Sequence, residues 1–307
     1  MNTDVLYKPY ADRKSDTQYK RLLKRILRKG VWYDNQMEEP ALTLLGAQLS
    51  YDLKNGAPII TERDLLTPGK NGRSYARMAI GEILGFINGA HTQSRLEEFG
   101  CFWWKSWLTP EKCGKRGLEV GDMGPGSYGS AWTEFPTGGE PFNQITALIK
   151  QIKERPRLRT HVITPWVPQF VFRASGYSQK VVVVPCHGWV NIRVNTQKNS
   201  FVLIHQQRSA DIPVGFPANM LEYLVFALMI AQVTGYRAER IIYKIDDAHI
   251  YKSQLDAVSE LLESNDQRLP TVRIQSDKTE ITEFRTEDFV IEDYHPTGRR
   301  MVIPTPT

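Results

Sequence analysis

A single cysteine follows four valines and a proline in the segment Val181 to His187. The valine run predicts a buried strand, and Pro185 ends its hydrogen-bonded ladder because proline has no backbone N–H. Cys186 would then be held rigidly at the edge of a sheet, where its thiolate could act as a nucleophile. Taken alone, a cysteine at such a position is more often a small core residue, so its chemistry depends on its neighbours.

Two polar segments follow Cys186 along the chain. In the first, Gln207 to Asp211, alternation along an extended backbone directs Arg208 away from Gln207 and Ser209. An arginine near Cys186 would hold an anion and would favour the reactive thiolate. Downstream, Asn219 either caps the helix that follows it or contacts a ligand, and the sequence does not separate these two interpretations.

The second polar segment contains Asp247, His249 and Tyr251 at alternating positions. One face of a strand would therefore present three hydrogen-bonding groups. A metal site is not indicated there, because no second histidine or cysteine lies at ligand spacing.

In this order, the segments resemble the signature of the thymidylate synthase family. The matching patterns are a Pro-Cys-His nucleophile, a Gln-Arg-Ser-x-Asp strand, a Gly-x-Pro-x-Asn turn and an Asp-x-His-x-Tyr strand. Each pattern is weak alone, but together they are highly specific. The resemblance extends over most of the chain, from Glu82 in a Gly-Glu-Ile-Leu segment to a Phe-x-Ile-x-x-Tyr-x-Pro pattern at Phe289 to Pro296.

The resemblance implies a mechanism in which Cys186 adds to carbon 6 of a uracil nucleotide such as dUMP. Carbon 5 then becomes nucleophilic and takes a one-carbon unit from 5,10-methylenetetrahydrofolate. Glu82, Tyr128 and Asp211 would manage protons through ordered water, and Asn219 would pair with the edge of the base.

Binding roles are implied by the same resemblance, and no metal ion is expected. The nucleotide-binding residues would be Gln207, Arg208, Ser209, Asn219, His249, Tyr251 and Arg159, the last reaching the phosphate of a partner subunit. The folate-binding residues would be Trp104, Trp107, Asp211 and Gly215.

The chain departs from the family pattern in its phosphate-binding arginines and at its C-terminus, as a divergent member would. The segment Asp34 to Thr43 is acidic where relatives carry an arginine, and the usual Arg–Arg pair is Arg159-Thr160. Arg155 and Arg157 are candidate substitutes. Ala218 stands where relatives carry an aromatic residue of the folate site, and the chain runs on to Thr307 where the family ends in a short apolar cap.

Three functions fit these observations. A synthase would convert dUMP to dTMP, and Trp104 favours it because water must be excluded from the site. A hydroxymethylase would let water complete the transfer, and the altered C-terminus favours it. A catalytically silent nucleotide- or RNA-binding homologue would suit the missing arginines, but the retention of Cys186, Glu82, Asn219 and Tyr128 argues against it. The amide of Asn219 favours uracil, since cytosine-specific relatives generally place aspartate there.

Composition restricts the setting of this chemistry. The 307 residues carry a formal net charge of +5, which suits an anionic ligand, while no recognised nucleic-acid-binding motif accompanies the basic helix Lys20 to Lys29. Three cysteines show no secreted disulfide pattern, and Met1 to Lys14 lacks an apolar signal core, so we expect a cytoplasmic protein. The apolar stretch Leu221 to Val233 is shorter than the ~20 residues of a membrane span and predicts a buried helix.

The hydrophobic periodicity of the sequence, together with glycine and proline at the ends of segments, predicts the elements that must position these residues. Predicted helices are Lys20 to Lys29, Tyr75 to Ile87, Phe142 to Glu154, Met220 to Val233 and Ser253 to Ser264. Predicted strands are Leu42 to Leu53, Ala57 to Thr61, His161 to Thr164, Gln169 to Arg173, Lys180 to Val184, Val190 to Val194, Phe201 to Gln206 and Arg240 to Ile245. Glu111 to Gly129 is predicted to be a long loop.

These elements, with no Pro- or Gly-rich linker between them, predict one α+β domain over residues 1–307 with a mixed, mostly antiparallel sheet flanked by helices. The resemblance implies that such sheets pack against each other in a homodimer.

Overall fold

A long apolar helix, α8 (Gly215–Thr234), lies at the centre of the molecule. Apolar residues cover it on every side, which predicts burial rather than an amphipathic surface position. By length and composition it could cross a membrane, yet 94% of its most apolar stretch is buried inside the protein, as in a core helix. It ends at Gly235, whose φ of 80° is the left-handed conformation that glycine adopts at helix C-termini.

The structure, a computed structural model, describes residues 7–306. Parts of two predicted segments, Met1 to Lys14 and the C-terminal extension to Thr307, therefore lie outside the described residues. Within that range the remaining helices are α1 (Gln18–Lys29), α2 (Tyr75–Ile87), α3 (Gln93–Glu98), α4 (Pro110–Gly114), α5 (Tyr128–Thr133), α6 (Gln144–Glu154), α7 (Pro168–Val171) and α9 (Leu255–Glu263).

The strands form one large sheet and one small one. They are β1 (Val31–Tyr33), β2 (Ala41–Asp52), β3 (Val162–Ile163), β4 (Trp189–Asn195), β5 (Ser200–Gln207), β6 (Ala210–Asp211), β7 (Arg237–Tyr251), β8 (Thr271–Ile274) and β9 (Phe289–Glu292). The order in the large sheet is β1-β2-β7-β5-β4-β3, with β6 also paired to β7, while β8 and β9 form the small sheet. Among the strands of residues 7–306, the β5–β7 and β6–β7 pairings are parallel and the others are antiparallel.

Helices α1 and α8 cover the large sheet, α2 packs on α8, and the apolar faces of these elements form the main core. The mixed, mostly antiparallel sheet flanked by helices confirms the predicted α+β fold. Helix α2 packs along α8, and a shared face of these two helices carries Glu82 and Glu222. The end of β5 and the start of α8 lie beside that face, so the sheet and helices together position the polar segments of the sequence.

Several predicted elements are confirmed with small shifts in their ends. Helix α2 has the predicted bounds, and β2 covers the predicted Leu42 to Leu53 strand moved by one residue at each end. The predicted loop Glu111 to Gly129 is a loop only in its middle, since α4 and the start of α5 occupy its ends. Strand β7 joins the predicted Arg240 to Ile245 strand to the polar segment that ends at Tyr251.

Three predicted strands are wrong, and proline explains two of them. The predicted strand Lys180 to Val184 is a loop with bends at Val182 and Val183, and its backbone bonds to loop and side-chain groups, for example Val182 N–H to the Met123 carbonyl at 3.0 Å. Pro168 starts the short helix α7 where a strand was predicted from Gln169. Ala57 to Thr61 forms no ladder, because Pro58 cannot donate a backbone hydrogen bond.

Candidate active site

A cavity of about 850 Å³ opens between the end of β5, the first turns of α8 and the loop that carries Cys186. Eleven of the predicted site residues besides Cys186 line it, and they come from segments far apart in the sequence: Glu82, Trp104, Trp107, Gln207, Arg208, Ser209, Asp211, Gly215, Asn219, His249 and Tyr251. Tyr128 lies buried behind the wall, and Arg159 is exposed elsewhere on the surface. The volume suits ligands of nucleotide size.

The Cys186 thiol is held beside a fixed arginine. Arg208 donates from Nε to the Pro185 carbonyl at 2.8 Å and from Nη2 to the Val184 carbonyl at 2.9 Å. These bonds orient the guanidinium so that Nη2 also lies 3.4 Å from Cys186 Sγ. Although the valines do not form a strand, their carbonyl groups thus fix the cation that faces the sulfur.

Burial raises the pKa of the Cys186 thiol above its ordinary value. Arg208 acts in the opposite direction, because a neighbouring positive charge stabilises the thiolate, whereas Asp247 raises the pKa further. Burial therefore favours the thiol form, and Arg208 is the contact that favours the thiolate.

An aromatic stack forms the wall behind Cys186. The Cys186 backbone N–H donates to the Tyr128 hydroxyl at 2.8 Å, and the Tyr128 ring stacks on His187 with centroids 4.3 Å apart. His187 Nδ1 lies 2.6 Å from the Tyr223 hydroxyl. Burial lowers the pKa of His187 to about 3, so this imidazole is neutral and serves as a hydrogen-bonding part of the wall.

Glu82 lies on α2 with its carboxyl group at the cavity. Its Oε1 accepts from Trp103 Nε1 at 2.8 Å and from Trp104 Nε1. Two indole donors on one oxygen favour the ionised carboxylate, while burial raises the Glu82 pKa above its ordinary value. The sequence reasoning named Trp104 and missed Trp103, although the two are adjacent.

Glu222 is a second buried carboxyl that the sequence reasoning did not assign to the site. It lies on α8, is fully buried, and adjoins the carboxyl group of Glu82, which raises the pKa of Glu222. The sequence does contain an indication of this role. Glu222 is the only charged residue in the apolar stretch Leu221 to Val233, and a buried charge requires a partner.

Asn219 connects this carboxyl pair to the end of β5. Its Nδ2 donates to Glu222 Oε2 at 3.1 Å, and its Oδ1 accepts from Gln207 Nε2 at 2.7 Å. Because α8 begins at Gly215, Asn219 lies inside the first turns of the helix and does not cap it. The capping interpretation of Asn219 is therefore wrong, and its amide is free to meet a ligand in the cavity.

Asp211 ties the site to the C-terminal segment. Its Oδ1 accepts from the Val214 backbone N–H at 3.0 Å and its Oδ2 from Gln254 Nε2 at 2.8 Å. Gln254 Nε2 also donates to the Pro304 carbonyl at 2.9 Å, which brings Thr305 to the cavity wall. Burial raises the pKa of Asp211 to about 6.

The predicted polar face of the Asp247 segment is present at the end of β7. His249 Nδ1 lies 2.8 Å from Asp247 Oδ1, and the Tyr251 ring packs edge-on against His249 with centroids 5.0 Å apart. All three side chains line the cavity. No group of three or more His, Cys, Asp or Glu side chains suited to a metal ion occurs among residues 7–306.

Besides Arg208, two arginines that the sequence did not suggest lie at the cavity. Arg116 and Arg173 line it, whereas Arg155 and Arg157 do not. Arg116 is held by bonds to the Val181 and Lys112 carbonyls at 3.2 and 2.8 Å. Arg173 follows α7 and has an exposed side chain. Sequence spacing could not reveal either residue, because loops bring them to the site.

A cysteine faced by an arginine, an asparagine amide, and a glutamate held by tryptophans thus line one cavity. Comparison with family models supports the resemblance of the sequence patterns over nearly the whole chain, since the model described as Thymidylate synthase matches residues 17–303. The protein belongs to the thymidylate synthase family.

Proposed function

We propose that the protein transfers a one-carbon unit from methylenetetrahydrofolate to carbon 5 of dUMP, giving dTMP, while Cys186 is bonded to carbon 6. The observation that carries this proposal is the common cavity of Cys186, Arg208 and Asn219. A nucleophile, a cation for an anionic group and a two-way hydrogen-bonding amide are the minimum set for holding and activating a uracil nucleotide.

Arg208 and Cys186 would act as one unit. The guanidinium stabilises the thiolate when the sulfur loses its proton, and its remaining N–H groups can hold a phosphate. Addition of the sulfur to carbon 6 places negative charge on the ring, which makes carbon 5 nucleophilic. The stacked Tyr128–His187 wall fixes the backbone of Cys186, so the sulfur approaches the ring from a constant direction.

Glu82 would manage the protons of the base. Its carboxyl group borders the cavity and is oriented by Trp103 and Trp104, so it can accept or donate a proton through water near the ring. Asn219 would bind the base edge with the second hydrogen of its Nδ2 and the second lone pair of its Oδ1.

A folate would bind in the same cavity. Trp104 and Trp107 present flat apolar surfaces suited to a pterin ring, and Asp211 offers a carboxyl group to a ring N–H. Gly215 has open space beside it, so no side chain obstructs this side. Methylenetetrahydrofolate supplies the carbon and the hydride when bound, while the protein residues orient the ligands and exclude water.

Hydroxymethylation of the same nucleotide is a second candidate, favoured by two observations. Ala218 borders the cavity where the family resemblance implies an aromatic ring, and the C-terminal wall contains Thr305 and Pro306 rather than a short apolar cap. Both features would admit water near the reacting carbon, and water in place of hydride would give the hydroxymethyl product.

Product analysis distinguishes the two reactions. The protein is incubated with dUMP and methylenetetrahydrofolate, the nucleotide is identified by mass and dihydrofolate is followed by absorbance. We expect dTMP with an equal amount of dihydrofolate. A hydroxymethyl nucleotide without dihydrofolate would replace our proposal with the second candidate, and no modified nucleotide would reject both. Cys186→Ser should abolish product, whereas Cys113→Ser, a buried cysteine away from the cavity, should retain it.

Homodimer formation and a cytoplasmic location remain predictions. Arg159 is exposed and does not line the cavity of its own chain, a position from which it could reach the site of a second copy. Sedimentation of concentrated protein tests this role, since a monomer at all concentrations would remove it.

A further inference from the structure

Glu222 raises a question that the proposed chemistry leaves open, because a fully buried carboxyl inside an apolar helix is costly unless specific partners hold it. It lies close to one turn beyond Asn219 on α8 and has two partners, the Glu82 carboxyl and the Asn219 amide. It does not itself line the cavity. Any influence on a ligand must therefore pass through one of these two neighbours.

The two neighbouring carboxyl groups can share one proton, and their other contacts indicate where it lies. Glu82 Oε1 already accepts from two indole N–H groups, as an ionised carboxylate would. Of the two Glu222 oxygens, Oε2 accepts from Asn219 and Oε1 has no hydrogen-bond partner among residues 7–306, so a proton on Glu222 would lie on Oε1. Burial, and then the nearby Glu82, raise the pKa of Glu222 well above its ordinary value, which agrees with a protonated Glu222 that donates to Glu82.

With the proton directed at Glu82, Glu222 Oε2 can only accept a hydrogen bond. Asn219 must then present Nδ2 to it, as the 3.1 Å contact shows. Gln207 cannot impose this orientation, because its Oε1 has no partner among the described residues and its amide could turn to suit either arrangement of Asn219. The carboxyl of Glu222 is therefore the group that decides which way the Asn219 amide faces.

We propose that Glu222 is a positioning residue that selects uracil over cytosine by fixing the orientation of the Asn219 amide. Uracil presents an N3–H donor and an O4 acceptor, which match Oδ1 and Nδ2 in their fixed places. Cytosine presents an acceptor and an amino donor at the same positions and requires the amide to be turned over. Turning it would oppose Asn219 Oδ1 to Glu222 Oε2, two acceptors without a proton between them.

This inference rests on the proposed binding of a pyrimidine nucleotide, and binding rather than turnover tests it. Calorimetry gives the Kd of dUMP and of dCMP for the wild type, Glu222→Met and Glu222→Gln. Methionine has similar length and no acceptor, so we expect the preference for dUMP to fall about tenfold, the size of one lost directional hydrogen bond. Glutamine can donate to Glu82 and accept from Asn219, so it should retain the preference within about twofold.

Glu62→Gln is the matched control, since it changes a buried acid that contacts neither Asn219 nor Glu82 in any described hydrogen bond, and it should leave the ratio unchanged. If Glu222→Met keeps the wild-type preference for dUMP, this inference is wrong but the proposed reaction is not affected. If Glu222→Gln loses the preference for dUMP, the inference is also wrong. This second variant therefore tests the role of Glu222 even where the methionine variant does not fold. A wild type that binds neither nucleotide removes the proposed function as well.

Discussion

The molecule buries carboxyl groups in two regions, with different consequences. In the first, Glu82 and Glu222 border or adjoin the large cavity and are held by indole and amide donors. In the second, Glu62 lies with Asp16 under the N-terminal helix, where the surrounding residues leave no room for a water molecule. Because Glu62 also accepts a hydrogen bond, from the Thr61 backbone N–H, neither burial nor an orienting donor marks an active site by itself; access to a ligand distinguishes the first region.

The largest expected effect concerns the first region. Glu82→Gln keeps the size of the side chain but removes the proton acceptor, so turnover should fall by roughly 10²- to 10⁴-fold while dUMP binding changes little. Steady-state kinetics together with calorimetry measure the two quantities. The matched change Glu62→Gln should leave turnover unaltered, and equal losses in both variants would erase the distinction between the regions.

In the second region, substitution of Glu62 should change the free energy of unfolding. Burial raises the pKa of Glu62 to about 7, so the folded protein binds this proton more tightly than the unfolded chain. The stability linked to that proton is present below the ordinary pKa and is lost as the pH rises through 7. Glu62→Gln should therefore raise the free energy of unfolding by up to roughly 3 kcal/mol at pH 9.

At pH 4 the same variant should show no gain, because both proteins then carry an uncharged group at position 62. Urea unfolding at the two pH values measures the difference. A gain of equal size at pH 4 and pH 9 would mean that packing, and not the buried charge, is responsible.

Arginines at the cavity and away from it can be compared in the same way as the buried acids. Arg173 lines the cavity and Arg155 does not, although the sequence suggested Arg155 as a phosphate ligand. If Arg173 holds the nucleotide phosphate, Arg173→Ala should raise the KM for dUMP about tenfold with little change in kcat, as expected for one charge-assisted hydrogen bond. Arg155→Ala should change neither, and the reverse result would restore the assignment made from sequence.

The smallest effect concerns the thiol. Because the pKa of Cys186 is raised, its alkylation by iodoacetamide at pH 8 should be several-fold slower than that of an unburied thiol and should increase as the pH rises above 9. Mass spectrometry of peptides locates the label, a free thiol such as glutathione measured in parallel is the reference, and the buried Cys101 and Cys113 should remain unlabelled. Faster labelling than that of a free thiol would show that Arg208 outweighs burial.

The regular elements were predictable because their signals are local. The apolar periodicity of α2 and β2 indicated their bounds to within a residue, and the order of polar segments identified the residues that line the cavity. The errors occur where hydrogen bonds between distant segments decide the structure. The Val181 to Val184 run looks like a strand, yet its carbonyls bond to Arg116 and Arg208.

Glu222 illustrates a second limit of sequence reasoning. Its charge within an apolar helix indicated that it needs a partner, but its position relative to Glu82 depends on the packing of α8 against α2. Arg173 was missed for a similar reason, since the loop after α7 brings it to the cavity and no periodic pattern describes that loop.

The central claim is a covalent bond between Cys186 and carbon 6 of the nucleotide. Incubation with 5-fluoro-dUMP and methylenetetrahydrofolate, followed by mass spectrometry of the intact protein and its peptides, tests it directly. We expect an adduct of nucleotide and folate on the peptide that contains Cys186, and none in Cys186→Ser. An adduct that persists in Cys186→Ser, or steady turnover of dUMP by a protein fully alkylated at Cys186, would contradict the account.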